Sequence, residues 1–134
     1  MNPTKRIFAL CLALCCTLTL IAPTYASGIE PMTDGTDNFR ATLSIGFGGQ
    51  ATCNAFGSAT LMSHKVEAIM SLNRLGNPIP LKTWNSQETG GLTMSENYYV
   101  SRGYDYQVSA TITVRDSGGR FIESFTIYSA IVHY

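Results

Sequence analysis

Residues 104–115 read YDYQVSATITVR, and this run decides the fold. Tyr104, Tyr106, Val108, Ala110, Ile112 and Val114 alternate with Asp105, Gln107, Ser109, Thr111, Thr113 and Arg115. Successive side chains of a strand point to opposite faces, so the alternation predicts a strand with one apolar and one polar face. An apolar sheet face must be covered by a second layer. Asp116-Ser117-Gly118-Gly119 follows at once and predicts a hairpin turn.

Six more short runs separated by turn residues surround it. Residues 40–47 put Ala41, Leu43, Ile45 and Phe47 on one face, and residues 51–55 do the same with Ala51, Cys53 and Ala55. In residues 65–75, Val66, Ala68, Met70 and Leu72 alternate with polar neighbours. The stretch EAIMSLNRL also has helix formers, but period two fits better and Gly76-Asn77-Pro78 ends it. Residues 79–86 carry Pro80 and Trp84, and a proline suits an edge strand. Residues 92–100 carry Met94, Tyr98 and Tyr99. Residues 120–133 form the last run, whose two apolar phases predict a bulge between Ile127 and Ile131. The expectation is all-β: an immunoglobulin-like antiparallel β-sandwich of about seven strands.

One local signal sharpens it. In VSRGYDYQV, residues 100–108, Val100, Gly103 and Tyr106 are spaced by three. This matches a tyrosine corner, in which a tyrosine near the start of the sixth strand bonds back to the preceding connection. Gly103 is expected to let the Tyr106 ring lie against the backbone.

The start of the chain reads differently. Lys5 and Arg6 precede fifteen uncharged residues, IFALCLALCCTLTLI, 7–21, then Pro23 and Thr24-Tyr25-Ala26. This is the layout of a secretory signal peptide cleaved after Ala26, and the run is shorter than the roughly 20 apolar residues that span a bilayer. The domains expected are a signal-peptide helix over 1–26, a flexible leader over 27–38 and a β-sandwich over 39–134. The product is expected to be secreted, extracellular and without a membrane span.

Composition agrees. Charged residues make up 13% of the 134, against roughly 25% in average soluble domains, and 12 serines with 15 threonines supply polarity instead. Formal net charge is zero, which argues against a nucleic-acid partner, since such binders carry basic patches. Removing residues 1–26 leaves Cys53 as the one cysteine, so no intrachain disulfide is expected.

ATLSIGFGGQATC (41–53), Met70-Ser71-Leu72, Trp84, GYDYQVSATITV (103–114) and IYSAIVHY (127–134) resemble a family of short secreted β-sandwich proteins of Gram-positive, Clostridia-like bacteria. The resemblance covers roughly residues 39–134. It implies an extracellular single β domain of unknown function and contributes no site residues.

Chemistry-bearing residues are few. Cys53 with His64 or His133 would be a thiol nucleophile with its base, but its place between Ala51 and Ala55 marks it as a small core residue. The same three residues have no zinc-ligand spacing. Asp34, Thr36 and Asn38 alternate as in a calcium loop but lack a closing glutamate, and read as a polar turn. Six carboxylates, Glu67, Glu88, Glu96, Asp105, Asp116 and Glu123, offer no pair that sequence places across a cleft. GFGG, residues 46–49, precedes a strand and not the helix that a phosphate cradle needs. No catalytic, cofactor or metal residue is assigned.

Trp84, Tyr98, Tyr99 and Tyr104 are the candidate ligand contacts, since exposed rings stack on sugars or anchor proteins. Against that, Trp84 is also suited to the centre of the core, and one of the adjacent Tyr98 and Tyr99 must point outward. Tyr106, Gly103 and Cys53 are assigned structural roles. The expected function is a secreted, non-enzymatic module for a surface component or protein. A carbohydrate-binding module comes second and a small secreted enzyme third. A protein or a glycan at the cell surface is the expected partner.

Overall fold

The computed structural model describes residues 39–134. The expected signal-peptide helix, the expected leader and the Asp34–Asn38 cluster lie outside the described residues. Eight strands form: β1 Arg40–Ile45, β2 Gln50–Ser58, β3 Lys65–Arg74, β4 Lys82–Thr89, β5 Gly91–Tyr99, β6 Asp105–Arg115, β7 Phe121–Tyr128 and β8 Val132–His133. No helix occurs among the described residues. One sheet has the order β1-β2-β5 and the other β4-β3-β6-β7, with β8 also on β6. Every pairing is antiparallel. This is the immunoglobulin-like sandwich with the fourth strand on the sheet of the third and sixth strands.

The alternation that marks each strand builds the core. β6 buries Tyr106, Val108, Ala110, Ile112 and Val114, and β3 buries Val66, Ala68, Met70 and Leu72. Across from them lie Ala51, Cys53 and Ala55 of β2 with Leu92 and Met94 of β5. The small residues of β2 face the larger ones of β3 and β6, which lets two twisted sheets close to about 10 Å. Phe39 and Phe125 close one side edge-on, with ring centroids 5.8 Å apart.

The outward faces explain the low charge. Ser71 pairs with Thr83 at 2.9 Å, Thr111 with Thr126 at 3.0 Å and Thr113 with Ser124 at 3.1 Å. On the other sheet the Asn54 amide donates to the Thr42 hydroxyl at 3.1 Å. Cross-strand pairs of this kind contribute roughly 0.2–1 kcal/mol each, and hydroxyls do here what ion pairs do on other sheets.

Five local readings are corrected. First, β4 starts at Lys82 and not at residue 79. Pro80 has no N–H to give a ladder, and the Asn77 side chain accepts from the Ile79 N–H at 3.2 Å, so residues 77–81 turn instead. β4 is nevertheless an edge strand. Second, the last run is two strands. The Ser129 hydroxyl accepts from the Val108 N–H at 2.9 Å and donates to the Ala130 carbonyl at 2.8 Å. A side chain takes the place of a backbone acceptor, and the ladder resumes only at Val132. Third, Phe47 does not join Ala41, Leu43 and Ile45 in the core: β1 ends at Ile45 and Phe47 stands fully exposed in the turn. Fourth, Tyr104 precedes β6 and is 43% exposed, so the core face of that strand starts at Tyr106. Fifth, Trp84 is not the centre of the core: it is half-buried on an edge strand.

Candidate functional site

The loops β1–β2, β3–β4 and β5–β6 meet at one end of the sandwich, here called the corner end. Its frame is the corner itself. Tyr106 is buried, and its hydroxyl donates to the Ser101 carbonyl at 2.6 Å. Burial raises the phenol's pKa, which keeps the donor protonated. Gly103 has φ of 88°, the left-handed region that favours glycine. A Cβ there would meet no atom within 4 Å, so the turn needs the backbone angle, and the Tyr106 ring does not press on Gly103 as expected.

Other segments tie into this frame. The Val100 N–H donates to the Gly49 carbonyl at 2.8 Å, and the Leu75 N–H to the Asp105 carbonyl at 2.9 Å. The Tyr134 carbonyl accepts from the Gly103 N–H, and the Tyr104 carbonyl from the Tyr134 N–H. Gly49, φ of 85°, lies under the Tyr134 ring; a Cβ would fall 2.6 Å from the Val100 carbonyl oxygen. Only glycine allows that approach.

Apolar groups project from this frame. Phe47, Ile79 and Tyr99 are 103%, 69% and 71% exposed. Tyr104 carries the Arg74 guanidinium 4.4 Å above its ring. The Arg102 Nε donates to the Tyr134 hydroxyl at 3.3 Å, a contact that raises the guanidinium's pKa further. Asp105 is held by His133, with Nδ1 2.7 Å from its Oδ1.

The candidate ligand contacts therefore divide. Tyr99 and Tyr104 both lie at the corner end, at the finish of β5 and just before β6. Tyr98 and Trp84 point inward, half-buried at the margin of the core on the two edge strands β5 and β4. Phe47 and Arg102 were not among the candidates. The signal for Phe47 was its place between Gly46 and Gly48, where a turn outranks the alternation that precedes it.

Other chemistries find little here. Cys53 is fully buried, and burial, with a smaller push from Glu96, lifts its thiol to about 11. Such a thiol is not a nucleophile near neutrality. No group of three His, Cys, Asp or Glu among the described residues is placed to hold a metal ion. Glu67 binds Arg115 at 3.3 Å, and Glu88 accepts from the Thr93 N–H at 3.2 Å. A hollow of about 370 Å³ at the opposite end has His64 and Glu123 in its wall, one carboxylate where glycoside hydrolysis uses two. A groove of about 610 Å³ runs between β1 and β7 beside Leu43, Ile127 and Tyr128.

No family model matches the chain, and no curated protein matches it in sequence. Among solved structures, Bacteroides uniformis beta-glucuronidase 2, covalently bound to cyclophellitol-6-carboxylate aziridine, is similar over 71% of this chain, with 17% identity and a TM-score of 0.39. The match spans 13% of that enzyme's chain, and a likeness this distant carries no argument about activity.

Proposed function

We propose that the chain is an exported, non-enzymatic β-sandwich module that binds a surface component or another protein through its corner end. Export rests on the sequence of residues 1–26. The observation that carries the binding reading is the set of exposed apolar side chains, Phe47 and Ile79 in loops and Tyr99 at the end of β5, at the end whose connections hydrogen bonds hold in place. Exposed apolar groups clustered on a rigid rim favour a partner over solvent. A sugar binder calls for coplanar exposed rings. The corner end exposes the aliphatic Ile79 as well as rings, which suits the protein or surface reading better than the carbohydrate one.

The test compares binding of the labelled protein to cells of its source for wild type, Phe47→Ser and Met62→Ser. Met62 is 78% exposed in the β2–β3 loop at the opposite end. Binding lost in Phe47→Ser and kept in Met62→Ser supports the reading; equal binding by all three overturns it. Strong signals on a glycan array that Phe47→Ser leaves intact would favour the carbohydrate alternative. Mass spectrometry of the secreted protein tests export, with Ser27 expected as the first residue.

A further inference from the structure

We infer that the corner end docks on a lipid surface of net negative charge, with Phe47 inserting among the acyl chains and Arg102 and Arg74 meeting the head groups. The inference rests on the binding reading above and names the surface.

Four observations carry it. Phe47 sits in a turn whose neighbours Gly46, Gly48 and Gly49 have no side chains, so its ring stands clear of the protein with 103% exposure. Arg102 lies beside that turn: its Nε reaches the Tyr134 hydroxyl, and the Tyr134 ring covers Gly49. Arg74 lies over Tyr104 on the neighbouring loop, and Tyr99 and Ile79 complete the rim. Asp105, the carboxylate in the β5–β6 segment, is hydrogen-bonded to His133, and the two guanidinium groups outnumber it.

The shape selects among partners. Phe47 and Ile79 stand in loops and Tyr99 at the end of β5, while the hollow and the groove lie elsewhere. A protein partner would need a concave, pre-shaped surface to receive separate protruding rings. A bilayer flows around them. It also sorts groups by depth: phenylalanine below, tyrosine hydroxyls and arginines at the head-group level. Cations at the surface draw the end toward anionic lipid.

Tryptophan fluorescence tests it. Trp84→Phe removes the native tryptophan, and Phe47→Trp or Met62→Trp then reports on one end at a time. The probes are vesicles of phosphatidylglycerol with phosphatidylcholine, vesicles of phosphatidylcholine alone, and the same vesicles with brominated chains. With anionic vesicles, Phe47→Trp emission is expected to shift to the blue and be quenched by bromine, while Met62→Trp emission stays unchanged. Arg102→Ser should weaken partitioning about fivefold, as should salt to a comparable degree. Equal responses from both reporters, or no response of Phe47→Trp at low salt, overturns the inference. If Phe47→Ser still abolishes cell binding in that case, the partner is a protein and the binding reading stands. If cell binding is also unaffected, both fall.

Discussion

The two ends of β6 are held in opposite ways. At its start, residues 100–105 are fastened by other parts of the chain: Gly49, Leu75 and Tyr134 through the backbone, and Tyr106 through its hydroxyl. At its finish, the 116–119 turn is fastened by itself. The Asp116 N–H donates to the Arg120 carbonyl at 2.9 Å, the Gly119 N–H to the Asp116 carbonyl at 3.0 Å, and the Arg120 N–H to the Asp116 carboxylate at 2.8 Å. The first end exists only when both sheets are assembled; the second needs five residues, 116–120. A change at the first should therefore cost the whole fold, and a change at the second should stay local.

The strongest way to break this comparison is Tyr106→Ala. It removes a fully buried ring and the tie to Ser101, and should cost about 3–5 kcal/mol, read from denaturant midpoints. A loss under 1 kcal/mol would mean the corner is ornamental.

A probe between the two ends provides the reference. Cys53 has its pKa raised above the value it would have unfolded, so its contribution is fully present below about pH 9 and is lost as pH rises through about 11. Stability should fall by about 2–3 kcal/mol more in wild type than in Cys53→Ala across that window. The core is shared, so amides at both ends of β6 should open together there. Parallel pH profiles for the two proteins would remove the buried-thiol reading.

Tyr106→Phe sharpens the comparison by keeping the ring. It should cost about 0.5–1.5 kcal/mol, with an unchanged denaturant slope, and more if the Ser101 carbonyl is left unpaired. An unmoved midpoint would place the Tyr106 contribution entirely in its ring.

The smallest effect belongs to the self-contained end. The backbone N–H of Arg120 holds the Asp116 carboxyl below its ordinary range. A depressed folded pKa gives stability that is present above the unfolded value near 4 and is lost as pH falls through the folded one. Acidification below pH 4 should speed exchange of the Arg120 amide while exchange of the Gly103 amide stays slow. Asp116→Asn should reproduce the faster Arg120 exchange at neutral pH and shift the denaturant midpoint less than Tyr106→Phe does.

The same contrast governs what the sequence made legible. The hairpin turn was readable because its chemistry is local: Asp116, Ser117, Gly118 and Gly119 suffice. The core faces of β2, β3 and β6 were readable because burial imposes period two on contiguous residues. The corner was half-readable. Spacing gave Tyr106 as the donor, but not that Gly103 serves the backbone angle alone, nor that Tyr134, far along the chain, closes the turn. The candidate site was the least legible. Tyr99 and Tyr104 were singled out as rings, yet nothing in their neighbourhood pointed to Phe47, because the rim is made by three loops that only the folded sheets bring together. The break at Ser129 was foreseen as a bulge, but a hydroxyl replacing a backbone acceptor leaves no periodic trace.

The path of the chain gives the sandwich a mechanical character. Residue 39 enters at the end opposite the corner, and Tyr134 leaves at the corner itself, where it meets Gly103 and Tyr104. Tension between a bound corner end and residue 39 would load β1 along its length. β1 would slide against β2, with the ladder bonds lying across the pull. Bonds loaded in this direction share the force and yield together, whereas bonds opened from one end yield one by one. The β1–β2 pairing that helps close the core would thus also share a pull along the chain.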